Sequence, residues 1–178
     1  FVADQPKNKF TEVAVLQVAR SAYADENYLG ALAHYKRLSL IGEYKENLTE
    51  AEIGQMRCDF ILGNYTSAIS HATITLESDK VDNKLENESN LVIARSNMML
   101  ASNKEAVVFF DKVIKKGTTG QAAEAMYLKS RILFNDDDLD GAETLVFDIV
   151  EQYGSESDWV AKSLILLSDI YMTRGDLF

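Results

Sequence analysis

The chain has 178 residues, of which 47% are hydrophobic and 26% charged, a globular composition able to bury a sizeable core. A net charge of −10 disfavours nucleic acid and anionic membranes through the overall field, although a local basic groove is compatible with it. One cysteine excludes an internal disulfide or a cysteine-based zinc site, and no apolar run reaches the roughly 18 residues of a membrane-crossing helix.

One proline and nine glycines leave long stretches free to be helical, and strand-type alternation is nearly absent. Apolar residues at helical spacing predict helices over about 10–25, 28–42, 49–62, 65–78, 86–101, 103–116, 120–135, 139–153 and 158–174. Thr49 with Glu52 reads as a capping box at the start of the third. Gly42, Gly63, Gly117, Gly120, Gly154 and Gly175 mark turns, and the polar stretch from Ser78 to Asn87 reads as the longest, mobile connection. Phe1 in first place, and a last stretch Leu164–Phe178 that resembles half of a helix pair, suggest a piece of a longer chain.

Four alanines, Ala31, Ala68, Ala106 and Ala142, recur at intervals of 37, 38 and 36 residues. Four residues after each stands Tyr35, Ala72, Phe110 or Val146, and three further Leu38, Thr75, Val113 or Ile149. Three residues before each stands Tyr28, Tyr65, Asn103 or Leu139, and twelve before, Ala19, Met56, Ala94 or Ser130. Such a period predicts stacked antiparallel helix pairs, in which small residues permit close approach and large ones fill holes in the next pair.

These residues resemble the tetratricopeptide repeat over nearly the whole chain, as four full units (about 11–45, 48–80, 86–117 and 120–154) and a partial one (158–178). The family's proline is missing, the units run longer than its typical 34 residues, and Asp59 and Asn97 stand where an aromatic is expected. The resemblance implies an all-α right-handed solenoid forming one domain, and a non-enzymatic scaffold that binds a protein or peptide partner without a cofactor. Longer, degenerate units are similar to tetratricopeptide proteins of bacterial cell envelopes, including lipoprotein subunits of outer-membrane assembly machinery, which implies a periplasmic or envelope location.

Four of the six arginines, Arg20, Arg57, Arg95 and Arg131, lie eleven residues before the repeat alanines. Three residues on come Tyr23, Phe60, Met98 and Phe134; four residues before come Leu16, Ile53, Leu91 and Tyr127. Each trio shares one helical stripe, on the face that the resemblance turns toward a concave groove. One reading is a column of guanidiniums, flanked by apolar columns, that pairs with carboxylates of a bound segment. The other is self-satisfaction: Glu50, Glu88 and Glu124 stand seven residues before three of the arginines, too far to pair within one helix but placed to pair with a neighbouring repeat. Asp169 takes the arginine position in the last unit, either as a carboxylate cap on the groove or as a partner for Arg131.

Asp136 to Gly141 imitates the start of a calcium loop, but Phe147 stands where the bidentate glutamate belongs. His34 and His71 have no metal-ligand partner at helical spacing, Cys58 reads as a packing residue, and no catalytic constellation or phosphate loop is found. Leu164 and Leu167 form an apolar face on the last unit through which self-association is a further expectation.

Overall fold

The computed structural model describes residues 9–79 and 81–175, and within them the chain is all helical. In chain order the helices are α1 (Lys9–Ala24), α2 (Tyr28–Ile41), α3 (Lys45–Ile61), α4 (Tyr65–Leu76), α5 (Asn83–Met99), α6 (Asn103–Lys116), α7 (Thr119–Asn135), α8 (Leu139–Gln152) and α9 (Ser157–Arg174). Each packs on the next, and α1–α3, α3–α5 and α7–α9 also touch, as expected when pairs stack along one direction. Lys80 and Leu177, in the expected connection and final turn, lie outside the described residues.

Close approach rests on the small-residue columns. The four repeat alanines have no exposed surface, and neither do Ala19, Met56, Ala94 and Ser130 of the facing first helices. The larger residues then fill the holes between pairs: Leu38, Phe110, Val113, Val146 and Ile149 are fully buried. Where Tyr35 of α2 is the filler, Gly54 of α3 makes room, since a Cβ there would lie 2.4 Å from the ring.

The first helix of each of the four full units ends in the same way. Glu26, Gly63, Ala101 and Asp137 adopt left-handed φ of 58°, 78°, 57° and 64°. The amide after each donates back five residues, Asn27 to Ala22, Asn64 to Asp59, Ser102 to Asn97 and Asp138 to Leu133, at 2.8–2.9 Å. The left-handed residues themselves donate to the carbonyls of Tyr23, Phe60, Met98 and Phe134 at 3.0–3.2 Å. This is the Schellman closure, and it delivers the chain directly to the next N-cap. Asn27 and Asp138 then accept from the amides of Gly30 and Gly141, at 3.0 and 2.9 Å.

Two expected boundaries are corrected. The third helix begins at Lys45, so Thr49 is inside it and its hydroxyl donates to the Lys45 carbonyl at 2.9 Å rather than capping. The capping box is instead at α7, between Thr118 and Gln121. The connection after α4 is shorter than expected, because Asp82 caps α5 through the Leu85 amide at 2.7 Å and starts that helix at Asn83.

Tyr44, the N-cap of α3, makes no capping bond with its own side chain. A carboxylate from the previous unit supplies it. Glu12 of α1 is 1% exposed and accepts from the amides of Glu43 (2.8 Å) and Tyr44 (3.4 Å) and from Asn47 Nδ2 (2.8 Å). Burial pushes its pKa up, but the three hydrogen bonds outweigh burial and hold it below its ordinary value of 4.5. A carboxyl lowered in the folded state contributes stability above the unfolded pKa and loses it as pH falls through the folded one. Glu12→Gln is therefore expected to cost about 1–3 kcal/mol at neutral pH in urea denaturation, a gap that shrinks steadily below about pH 4.5. At the turns, Ala101→Gly is expected to stabilise by about 1 kcal/mol, because a Cβ in left-handed backbone is strained; the same denaturation series reads it.

Candidate functional site

The first helices of successive units lie side by side, and their arginines are paired across the junctions. Arg20 donates to Glu50 through Nε (2.6 Å) and Nη2 (2.5 Å), and Arg57 to Glu88 in the same bidentate manner (2.5 and 2.7 Å). Arg95 donates to Glu124. Each glutamate therefore serves the arginine of the preceding unit. Its carboxylate raises the pKa of Arg20 and of Arg57 against the opposing effect of burial.

The flanking column is also engaged. Tyr23 and Phe60 are half-buried and meet the first aromatic of their own second helix edge-on, Tyr28 at 5.3 Å and Tyr65 at 6.1 Å between centroids. Met98 packs on the core around Phe110, and Phe134 and Tyr127 on the core around Val146 and Ile170. The Arg95 guanidinium sits 5.8 Å from the Phe60 ring centroid, so the columns of adjacent units also touch.

Between these rungs the surface opens into clefts. One of about 260 Å³ is lined by Tyr23, Arg57, Phe60, Ile61, Glu88, Leu91, Val92, Arg95 and Gln121, drawing on α1, α3, α5 and α7 together. A second of about 250 Å³ lies against Glu50, Ile53, Arg57, Asp82, Lys84, Leu85 and Glu88. Leu16, at the start of the same apolar column, is instead buried in the first unit.

Of the four sequence-predicted arginines, three are thus neutralised by the self-satisfied arrangement, and the fourth differs. Arg131 is exposed and makes no ion pair among the described residues; Asp169, also exposed, does not reach it. The pattern was partly visible beforehand. Arg20 has Val13, not glutamate, seven residues earlier, as expected if each glutamate belongs to the arginine of the unit before.

Other singled-out residues have local roles. Asp138 caps α8 and Asp140 pairs with Arg174 at 2.5 Å, which accounts for carboxylates of the calcium-like segment. His71 finds partners on α3 rather than on its own helix: Nδ1 lies 2.6 Å from Glu52 Oε2, and Nε2 3.7 Å from the buried Asp59 carboxylate. Asp59 in turn accepts from Asn64 Nδ2 at 2.9 Å, so in place of an aromatic it ties the inter-helix turn to its helix. Burial and the neighbouring Asp59 push the Cys58 thiol up to about 11, a packing thiol rather than a nucleophile. Leu167 packs partly into the last core cluster, whereas Leu164, Ile165 and Met172 stand exposed on α9. No helix among the described residues is long and apolar enough to cross a membrane.

No protein-family model matches the chain, and no curated protein sequence matches it. Solved structures do. The crystal structure of MamA protein superposes with a TM-score of 0.74 at 14% identity, covering 93% of this chain and 83% of that one. YrrB, described as a TPR protein with an unusual peptide-binding site, superposes with a TM-score of 0.66 at 15% identity, covering 91% of this chain and 77% of that one. The fold is that of a tetratricopeptide-type helical solenoid.

The rungs are partly exposed, so each is worth about 0.5–1 kcal/mol at most and acts chiefly on register. A double-mutant cycle on Arg57→Ala and Glu88→Ala should give a coupling energy in that range, falling in high salt. A coupling of zero would mean that the rung adds nothing to stability.

Proposed function

We propose that the protein is a non-enzymatic scaffold that holds a segment of a partner protein along the surface of its first helices. The observation that carries this reading is the cleft shared by α1, α3, α5 and α7. It is a continuous surface built by several units, with Tyr23, Phe60 and Ile61 as apolar walls and the rungs Arg57–Glu88 and Arg95–Glu124 across it. Similarity in fold to a TPR protein with a peptide-binding site supports the same reading.

Pairing changes how such a groove discriminates. A bare guanidinium column would select carboxylates, whereas a column of closed ion pairs carries little net charge. It still offers the remaining N–H groups of arginine and free lone pairs of glutamate, a mixed set that suits the amides of an extended or helical backbone. Affinity then comes from apolar side chains seated between the rungs, at roughly 25 cal/mol per Å² of surface removed from water, less the cost of ordering the segment.

Ile61 offers the cleanest test, since it lines the cleft and is 46% exposed, so its replacement leaves the core intact. Selection of a displayed random-peptide library against the full chain is expected to enrich peptides whose affinity drops about tenfold, near 1.4 kcal/mol, on Ile61→Glu. The thermal midpoint should be unchanged. Peptides that bind the variant as tightly as the parent, or no enrichment at all, would refute the groove reading.

A further inference from the structure

The ladder reverses polarity once, at its last junction. The cleft between the second and third units is walled by Glu50, Ile53, Arg57, Leu85 and Glu88. The lining also includes Asp82 and Lys84. Seventy-four positions on, the spacing that separates Ala68 from Ala142, the same places hold Glu124, Tyr127, Arg131, Glu156, Asp158, Trp159 and Lys162. Two aliphatic walls have become aromatic, and the glutamate that should receive the arginine has become a lysine.

The side chains show the consequence. Trp159 and Tyr127 contact each other across the α7–α9 junction, with centroids 5.7 Å apart and rings tilted by 39°. Lys162 Nζ lies 4.0 Å from the Trp159 ring centroid, which fixes the ammonium on the aromatic floor and leaves it exposed to solvent. Arg131 is exposed and has no ion pair among the described residues. Two cations therefore occupy the rung position that elsewhere holds a neutral pair; of the flanking carboxylates, Glu156 accepts from the Thr119 hydroxyl at 2.9 Å and Asp158 lies in the first turn of α9.

We infer that this fourth junction is where the groove reads charge: it takes an acidic side chain of the bound segment. The incoming carboxylate occupies the place of the missing glutamate, between the Arg131 guanidinium and the Lys162 ammonium. The aliphatic part of the segment packs on the Trp159–Tyr127 floor, whose apolar surface limits screening of the new pair. The first three junctions, already closed, read shape and backbone, so the single open junction sets the register of an acidic residue along the groove. This inference rests on the reading of the groove as a partner-binding surface.

Trp159 is the only tryptophan, so its emission reports on the junction directly. The probes are a hexapeptide alternating leucine and glutamate, acetylated and amidated so that no terminal charge contributes, and the same peptide with glutamine for glutamate. Wild type is expected to bind the glutamate peptide about tenfold more tightly than the glutamine peptide. Arg131→Ala should reduce that preference, and Lys162→Glu should abolish it, because it restores the closed rung seen at the other junctions. Lys104→Glu, the same charge change at an exposed position on α6, should leave the preference intact and so corrects for the general field. Equal binding of the two peptides by wild type, no peptide-dependent emission change, or a preference that survives Lys162→Glu would each overturn the inference. None of these outcomes touches the groove reading, which the library selection on Ile61 decides separately.

Discussion

Everything in this molecule depends on the distance at which its helices meet, and that distance is set by side chains too small to keep backbones apart. Fully buried alanines on the second helices face Ala19, Ala94 and Ser130 on three of the first helices, so those pairs close to near contact, and in the second unit the alanine alone is small, opposite Met56. Once closed, the pair cannot bury its remaining apolar residues alone, and Tyr35, Phe110, Val146 and Ile149 must find space in the adjoining unit. Gly54 beneath the Tyr35 ring shows how tight the fit is, since there the backbone of one unit is itself the floor on which the preceding one's aromatic rests. Stability in such a stack is a sum of unit and junction terms, which is why a local change at one junction need not disturb the others.

Several of the polar groups that the stack buries serve the same register. Glu12 reaches from the first unit to close the amides that lead into α3, and Asn87 of α5 donates to the Lys116 carbonyl at the end of α6, at 2.8 Å. Asp59 and His71 tie α3 to α4 in the place where an aromatic was expected. Buried polar groups of this kind contribute little net free energy when satisfied but are costly when displaced, so they penalise slipped alternatives more than they strengthen the native one. The Arg–Glu rungs do likewise at the surface, and by closing on themselves they turn a column of cations into a nearly neutral lining.

That neutrality is what gives the last junction its character. A lysine where glutamate belongs would be unremarkable in an isolated helix, but in a repeat it changes the sum at a defined place. With Trp159 and Tyr127 as its floor, the junction between α7 and α9 is the point at which chemical identity departs furthest from the pattern of the other units. A solenoid of near-equivalent clefts needs such a departure if it is to hold a segment in one register rather than several.

The sequence alone determined the repeat, the helix pairs, the small-residue columns and the stripe that carries the arginines, because these follow from near-neighbour spacing and from side-chain size. It also contained both answers for the arginines, free or paired, without choosing between them. The choice belonged to the tertiary structure: Arg20 and Glu50, Arg57 and Glu88, and Arg95 and Glu124 are separated by 29 to 31 residues, and only the rise and rotation from one unit to the next brings them within hydrogen-bond reach. The same holds for Glu12 capping a helix it does not belong to, and for His71 meeting carboxylates of another helix. Thr49 and Glu52 erred in the opposite direction, because a local capping signature was overridden when packing extended α3 back to Lys45. Periodicity is a one-dimensional property and is legible in one dimension; which charge meets which is settled by the geometry of stacking.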